Sequence, residues 1–371
     1  MLKVYHGNNL LGPLMPSWSL KFHVLFHTIR YVLYKHNNFD SLLMAQDLTK
    51  LPNPNTSFKA IVKEDSCSRY QEAIDFIIQK SEHVPISCKD PNGTIKAEWV
   101  SCENSDKNTV VYMLHGGAYI FGSPQLERKM AYYIASTAKT QTFGIAYRLA
   151  PQYEFPCSLI DALSGYMYLL ECGYLPENIV FSGSSAGGGL AMALLLLLRE
   201  LDTLPMPAGA ILISPWVDLT HSFPSFLLNK ETDILPSRSR ITFGDRMNAY
   251  APNEILRLQY VSPVWAKSLS DLDLPILIQV GEVERLYDED VALYQRLSKE
   301  NLKCGTLLEV YQEQCHVFHS FNFLQSSKTA FQRIGQFFDQ VVRDKVSIQS
   351  GRVDISPNGS IVKNESKLAK L

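Results

Sequence analysis

A serine flanked by small residues joins an apolar strand to an apolar helix near the middle of this chain. Residues 179–181 are typical of a buried strand, and residues 190–198, all of them apolar, are typical of a buried helix. Between them stands Gly183-Ser-Ser185-Ala-Gly187. The glycines allow a sharp turn that a Cβ would obstruct, so we expect the Ser185 hydroxyl to lie exposed at its tip. Ser185 is therefore the candidate nucleophile, and a glycine- and serine-rich loop is the alternative.

A second glycine-containing turn lies upstream. Residues 110–114 are typical of a buried strand that runs directly into His115-Gly-Gly-Ala-Tyr119. When a hydroxyl attacks a carbonyl group, the oxygen becomes an anion, and each preorganised N–H donor aimed at it lowers the barrier by roughly 3–4 kcal/mol. The predicted donors are the backbone N–H groups of Gly117, Ala118 and Ala186, while Gly116 shapes the turn. The candidate oxyanion hole is therefore Gly116, Gly117, Ala118 and Ala186, supported by the motif residues His115, Gly183 and Gly187.

Two further blocks accompany these turns. Residues 147–151 read Tyr-Arg-Leu-Ala-Pro, with Phe155-Pro156 and Asp161-Ala162 following, and residues 214–220 read Ser-Pro-Trp-Val-Asp-Leu-Thr. Together the four blocks resemble the hormone-sensitive-lipase-like branch of the α/β-hydrolases, from about residue 105 to about 340. The resemblance implies an α/β-hydrolase fold, in which a mostly parallel central sheet is flanked by helices and carries a helical cap. Within this branch the chain looks most like fungal members, including steryl acetyl hydrolases.

The resemblance also implies a catalytic acid. Residues 275–280 are typical of a late core strand, which Gly281 ends, and the family places its acid three residues after that glycine. This position holds Glu284, where the family usually has Asp. Asp288 and Glu282 are the competing carboxylates.

The catalytic base follows the next predicted strand, residues 306–311. The family sets its histidine immediately before a small or apolar residue and an aromatic one, as in His316-Val-Phe. His316 is therefore the candidate base, and His319 is assigned a packing or capping role. Neither His, Cys nor Asp residues show zinc-site spacing, so we expect no metal.

The chain departs from the family pattern at three positions. Ala118 replaces the commoner third glycine, and a backbone donor is unaffected by that change. Ser184 stands where many relatives carry Asp directly before the nucleophile, which leaves local stability and pH behaviour open. Glu284 replaces Asp.

The resemblance implies a serine carboxylesterase that hydrolyses short-acyl esters of apolar alcohols, a steryl acetate among them, through an acyl-enzyme. Its partner is a small-molecule ester, and no cofactor is expected. Two alternatives stay open. An amidase or deformylase would use the same triad, and a non-catalytic receptor for small ligands would share the fold.

Composition excludes several other classes. The 35 Lys and Arg residues nearly balance the 37 Asp and Glu residues, for a net charge of −2, so nothing indicates nucleic acid or an anionic membrane as a partner. The seven cysteines form an odd set without framework spacing, which indicates reduced thiols.

We divide the chain into an N-terminal cap or helical region (residues 1–60), a hydrolase domain (61–345) and a polar tail predicted to be disordered (346–371). Apolar residues in 16–34 recur at roughly helical spacing. This predicts a cap helix over the active site, with an interfacial helix that grips a membrane or lipid droplet as the alternative.

A cap insertion is predicted at residues 217–262. Its apolar residues are expected to line an acyl or alcohol pocket, with ordinary packing as the alternative: Phe223, Phe226, Leu227, Leu228, Ile234, Met247, Tyr250 and Tyr260.

Localisation is predicted to be cytoplasmic, because the sequence shows no secretory signal and polar residues interrupt the N-terminal apolar stretch. The alternatives are the periphery of the ER membrane and the peroxisome, since Ala369-Lys370-Leu371 resembles a Ser-Lys-Leu signal.

Overall fold

A computed structural model describes residues 14–35, 55–62, 68–81, 94–235 and 249–364. Within these ranges ten strands form a single sheet: β1 (Asn55–Val62), β2 (Thr94–Ser101), β3 (Asp106–Leu114), β4 (Thr140–Ala146), β5 (Ile179–Ser184), β6 (Gly209–Ile213), β7 (Ile276–Gly281), β8 (Thr306–Tyr311), β9 (Gly351–Ile355) and β10 (Ile361–Asn364). Their spatial order is β1-β2-β4-β3-β5-β6-β7-β8-β9-β10.

The middle of the sheet is parallel. All neighbouring pairs from β4 through β3 to β9 run parallel, whereas β1 with β2, β2 with β4, and β9 with β10 are antiparallel. Central parallel strands are covered on both faces and are therefore continuous apolar runs. The predicted α/β-hydrolase architecture with a mostly parallel sheet is confirmed.

The helices described are α1 (Leu20–Lys35), α2 (Ser68–Lys80), α3 (Arg128–Ala138), α4 (Cys157–Glu171), α5 (Ala186–Leu201), α6 (Ser225–Leu228), α7 (Tyr287–Glu300) and α8 (Gln325–Phe338). Short 3₁₀ turns lie at Pro176–Asn178, Asn253–Ile255, Pro263–Trp265 and Phe318–Ser320, and a π-helical turn lies at Asp339–Arg343.

The two faces of the sheet bury two separate apolar clusters. In β3, Val111 and Met113 pack with α3 and α8, whereas Val110, Tyr112 and Leu114 pack on the opposite face with α4 and α5. Successive side chains of a strand point to opposite faces, so one apolar strand supplies both clusters. The sheet is thereby fixed between two helical layers, which holds its strand ends in place.

The candidate motifs all follow carboxyl ends of parallel strands. His115 follows β3, Ser185 follows β5, and Ser214 follows β6. Glu284 and His316 follow β7 and β8 within a few residues. Since the carboxyl ends of parallel strands meet at the same edge of a sheet, these residues are gathered at one edge.

The N-terminal helix α1 packs onto the body of the protein. Phe22 and Phe26 are fully buried, with Trp18 beside them, and Phe22 lies edge-on to Phe321 with ring centroids 5.0 Å apart. Phe321 belongs to the segment that follows His316, so α1 lies against the loop of the candidate base. The boundary predicted for the N-terminal cap or helical region, residue 60, falls inside β1, which begins at Asn55 and pairs with β2.

The polar tail is only partly as predicted. Residues 351–364 form β9 and β10, an antiparallel pair that extends the sheet beyond β8. The prediction of disorder is therefore wrong for these residues. Val353 and Ile355 are buried, and they supply the apolar side chains that hold this pair against the sheet. Ala369-Lys370-Leu371 lies outside the described residues.

The cap insertion is described up to residue 235 and again from 249. Tyr250 and Tyr260 are buried in the core, whereas Leu227 and Leu228 are 68% and 77% exposed. Met247 lies outside the described residues. Within the described ranges, no helix combines the length and the apolar character needed to cross a membrane.

Candidate active site

Ser185 occupies a strained turn between β5 and α5. Its φ and ψ are 54° and −122°, a conformation that residues with a Cβ rarely adopt. The turn is held on both sides, because Ser185 N–H donates to Ile213 O at 2.9 Å and Trp216 N–H donates to Ser185 O at 2.8 Å. Of residues 179–198, all described, Ser185 alone is partly exposed. The turn presents this hydroxyl while its neighbours are buried.

The flanking glycines are required by close backbone contacts. A Cβ on Gly183 would lie 2.2 Å from Gly187 O, and one on Gly187 would lie 2.0 Å from Leu114 O. Both separations are far below any van der Waals contact. Both glycines are therefore required for steric reasons. The absence of a Cβ at Gly187 lets the nucleophile turn pack directly against the end of β3.

The loop after β3 supplies candidate oxyanion donors. Gly117 has φ 125°, and a Cβ there would lie 2.0 Å from Phe121 O, while Ala118 follows with φ 54°. No acceptor for the N–H of Gly117, Ala118 or Ala186 lies among the residues that the structure describes. Ala186 is also the first residue of α5, where N–H groups lack an intrahelical partner and the helix dipole favours negative charge.

Gly116 does not belong with these donors. Its N–H donates to Glu127 Oε1 at 2.8 Å. The inclusion of Gly116 in the oxyanion hole is wrong, because its donor is already engaged and only the turn-shaping role remains.

His115 supports the same loop. Its ring stacks on Tyr147 with centroids 4.1 Å apart, and the Tyr147 hydroxyl donates to His115 O at 2.7 Å. Burial lowers the pKa of His115 to about 4, so the imidazole is neutral near pH 7 and its Nδ1 lies 2.7 Å from Gly116 O. In its neutral form the His115 ring donates from Nδ1 to Gly116 O. This hydrogen bond holds the carbonyl of the residue that directly precedes the candidate donors Gly117 and Ala118.

Glu284 and His316 form a buried pair. Glu284 Oε2 lies 3.0 Å from His316 Nδ1, and Glu284 Oε1 accepts from Gly281 N–H at 3.0 Å. Burial raises the pKa of the Glu284 carboxyl, and the hydrogen bond with His316 opposes that shift. This arrangement holds one ring tautomer, with Nδ1 protonated and Nε2 able to accept a proton.

The competing carboxylates are engaged elsewhere. Asp288 Oδ2 accepts from Ser225 N–H at 2.7 Å, and Glu282 Oε2 accepts from Glu313 N–H at 3.1 Å. Of the three candidates, the structure places Glu284 against His316.

Ser185 is linked to this pair through Ser214. Ile213 O accepts from Ser185 N–H, and the next residue, Ser214, accepts from Val317 N–H through its Oγ at 3.2 Å and also hydrogen-bonds Glu284. No hydrogen bond between Ser185 Oγ and His316 occurs among the described residues. Catalytic hydrogen bonds often tighten only in the substrate complex. The backbone contacts hold the base loop against the nucleophile turn.

Asp233, in the cap insertion, is a buried residue that sequence reasoning missed. Its carboxylate accepts from three backbone N–H groups, those of His316 at 2.8 Å, Arg285 at 2.7 Å and Ile234 at 2.7 Å. It therefore fastens the loops of the candidate base and acid to the cap. Asp233 is recognisable as a site residue only from its contacts with residues that are distant in the sequence. A single Asp in a polar stretch gives no such signal.

His319 has the packing role that was expected of it. It is buried, and its Nε2 lies 2.9 Å from Gln279 Oε1. Burial lowers its pKa to about 3, so the ring stays neutral at physiological pH. No group of three or more His, Cys, Asp or Glu residues in the described part of the chain is arranged to hold a metal ion.

Comparison with known proteins shows the family to which this chain belongs. A sequence family described by its alpha/beta hydrolase fold matches residues 110–320, which is more than half of the chain. The chain belongs to the α/β-hydrolase family.

Its relatives place it among esterases of that family. It is 36% identical over 249 residues to an acetyl-hydrolase of Streptomyces hygroscopicus, covering 66% of this chain and 80% of the relative. It is also 31% identical over 231 residues to an esterase of Acinetobacter venetianus, covering 62% and 74%. The chain is a carboxylic ester hydrolase.

Solved structures give the same result. An esterase from the bacterial hormone-sensitive lipase family shares 30% identity with a TM-score of 0.62, over 75% of this chain and all of that one. An esterase/lipase from an uncultured bacterium shares 29% identity with a TM-score of 0.61, over 81% and 97%. The resemblance to the hormone-sensitive-lipase-like branch is confirmed at the level of the branch. None of the relatives described above is named a steryl acetyl hydrolase.

Proposed function

We propose that this esterase hydrolyses short-acyl esters of apolar alcohols through an acyl-enzyme on Ser185. The observation that carries the proposal is the 3.0 Å contact between Glu284 and His316, held against the strained turn of Ser185 by Ser214. A nucleophile, a base and an orienting carboxylate are the three groups that a serine hydrolase needs.

The proposed reaction has two halves. His316 takes the proton of Ser185 as the hydroxyl oxygen attacks the ester carbonyl, and the N–H groups of Gly117, Ala118 and Ala186 bind the resulting oxyanion. When the intermediate collapses, His316 protonates the departing alkoxide. Water then attacks the acyl-enzyme with the same histidine as base, which releases the acid and restores Ser185.

A short acyl group is supported by the names of the relatives. One is an acetyl-hydrolase, and an ethyl acetate hydrolase of Pseudomonas putida is 28% identical over 190 residues. A steryl acetate is a bulkier member of the same ester class. The cap aromatics that would receive its alcohol include Phe223 and Phe226, which pack partly exposed against the core.

The test is a panel of p-nitrophenyl esters from acetate to decanoate, with a steryl acetate and a matched acetanilide. We expect kcat/KM to be highest for the short acyl esters and far lower for the amide. Ser185→Ala should reduce ester turnover about 10⁴-fold or more, because no other nucleophile is presented by the turn. Ser182→Ala, a buried hydroxyl within β5, is the control and should retain turnover.

Amide turnover equal to ester turnover would support the amidase alternative. Ser185-independent turnover would contradict the proposed nucleophile, and no turnover by the folded protein would support the receptor alternative.

We further propose that α1 acts as a cap element. Its apolar contacts with the segment after His316 support this interpretation over a membrane-binding helix, although Leu20 and Val24 on its outer side are 66% and 45% exposed.

A further inference from the structure

One carboxylate outside the proposed triad contacts both halves of the site. Glu127 lies directly before α3 and reaches back toward the sheet edge. Its Oε1 accepts from Gly116 N–H at 2.8 Å and from the Ser184 hydroxyl at 2.5 Å. Gly116 immediately precedes the candidate oxyanion donors, and Ser184 immediately precedes Ser185. A single oxygen atom therefore joins the oxyanion loop to the nucleophile turn.

The three groups are packed closely. A Cβ placed on Gly116 would lie 2.8 Å from Ser184 Oγ and 3.1 Å from Glu127 Oε1. Ser184 is 1% exposed, so its hydroxyl has no ready access to solvent as a substitute partner, whereas Gly116 is partly exposed. Removing the carboxylate would release the Gly116 amide and leave the buried Ser184 hydroxyl unpaired, and an unpaired buried donor costs more than the bond itself.

Ser184 stands where many members of the resembled family have an aspartate, and Glu127 brings a carboxyl group next to it. Ser184 can donate a hydrogen bond, but it carries no negative charge. Its hydroxyl extends toward Glu127, which supplies that charge from the start of α3. An aspartate at position 184 would place a carboxylate in the same region directly from the nucleophile strand.

We propose that Glu127 is a positioning residue that sets the separation between the oxyanion donors and the Ser185 hydroxyl. The proposal rests on the proposed esterase function and extends it. Oxyanion donors act only when they are held at the place where charge develops, so a loosened loop lowers the rate of the chemical step more than substrate binding.

The surroundings of Glu127 make this role depend on pH. Burial raises its pKa to about 7, while the hydrogen bonds from Ser184 and Gly116 and the charge of His316 oppose the shift. His115 lines the same small cavity and is neutral near pH 7, and Glu98 there is paired with Arg128 at 2.6 Å. Tyr147, whose own pKa burial raises, also faces Glu127 and stays uncharged.

The hydrogen bonds of Glu127 and the stability of its buried site respond to pH with opposite signs. Below about pH 7 the Glu127 carboxyl is protonated, and above it the carboxylate accepts charge-assisted hydrogen bonds, which are roughly twice as strong as neutral ones. The two hydrogen bonds to the loop and to the nucleophile turn are therefore stronger on the alkaline side, whereas the raised pKa means that burial disfavours the charge and that stability falls as pH rises through about 7. Glutamine at this position keeps the acceptor oxygen but stays neutral at every pH.

The first experiment compares kcat of the wild type with that of Glu127→Gln on p-nitrophenyl acetate across pH. Because Glu127 and His316 interact electrostatically, the substitution also changes the surroundings of His316, so the pH-independent plateaus of kcat are compared as well as the ratio. We expect the ratio to be about 1 at acidic pH and to rise about 3- to 10-fold through a midpoint near pH 7. A ratio that is constant with pH would overturn the positioning role.

The second experiment uses rescue. Glu127→Ala should lower kcat about 10- to 100-fold with little change in KM, and adding Ser184→Asp should restore most of that loss. Glu200→Gln removes a carboxylate that binds Tyr260 and Gln259 at the far end of α5 and serves as the control for stability alone. It should lower the melting temperature and leave kcat unchanged.

An unchanged kcat in folded Glu127→Ala would overturn the proposal. If Glu127→Ala does not fold, the pH ratio of Glu127→Gln decides the question. Failure of the esterase function itself is separate, because it would show as Ser185-independent turnover, or no turnover, in the wild type.

Discussion

The Glu284 side chain shows how one residue orients another. It is fully buried, and each of its two oxygens has a partner, one on Gly281 N–H and the other on His316 Nδ1. The added methylene relative to aspartate is accommodated without losing the contact to the imidazole. The oxygen on Gly281 N–H anchors the carboxylate to the end of β7, so the side chain has no freedom to swing away.

Replacing this carboxylate should impair chemistry. Glu284→Gln presents an amide that favours the wrong ring tautomer of His316, and we expect kcat to fall about 10³- to 10⁴-fold with a small change in KM. The matched control is Glu282→Gln, two residues away and bonded to Glu313 N–H, which should stay within about twofold of the wild type. Equal losses in the two variants, measured on p-nitrophenyl acetate, would contradict the assignment of the acid.

At the scale of elements, the motif-bearing turns were predictable because each is local in sequence. An apolar strand followed by glycines places Ser185, Gly117 and Glu284 at strand ends, and parallel strands bring those ends together. Glu127 and Asp233 were not predictable in the same way. Glu127 and its partner Ser184 are 57 residues apart in the sequence, and Asp233 and its partner His316 are 83 residues apart.

The C-terminal pair β9 and β10 was missed for a related reason. Its sequence is polar, and composition alone favours disorder. Val353 and Ile355 alternate with polar residues in β9, and these two buried side chains suffice once β8 offers an edge to pair with. A short alternating segment becomes a strand through its neighbour, which the sequence does not show.

Helix α1 yields a prediction at this scale. Phe22 is fully buried against Phe321, whereas Leu20 on the same helix is 66% exposed. Phe22→Ala should destabilise the protein by about 3–5 kcal/mol, or detach α1, because it leaves a cavity in the apolar cluster that α1 forms with Phe321. Leu20→Ala should change stability by less than about 0.5 kcal/mol.

Thermal unfolding and limited proteolysis near residues 14–35 measure both effects. Equal stability of the two variants would contradict the docking of α1, and flotation of the wild type with lipid vesicles that Leu20→Ser abolishes would support the membrane-binding alternative.

At the scale of the whole molecule, the central sheet brings the site residues together. The residues of the proposed triad and oxyanion hole lie between positions 115 and 316. They follow the carboxyl ends of β3, β5, β7 and β8, and Ser214 follows β6. Glu127 and the cap residue Asp233 are the exceptions, because they come from outside these strand ends. Two apolar layers fix those strands, so the strain at Ser185 is held by the fold as a whole rather than by its own turn. The sheet and its two helical layers carry the site residues, and the cap insertion contacts them through Asp233 and Tyr250.

The most direct test of the account is to trap the covalent intermediate. The enzyme is mixed with p-nitrophenyl acetate, quenched in acid within the first turnovers, digested and analysed by peptide mass spectrometry. We predict one acetyl group per chain, located on Ser185, and none on the same peptide of Ser185→Ala. Turnover in which the acetyl group is found on another residue, or turnover that persists in Ser185→Ala, would contradict the account.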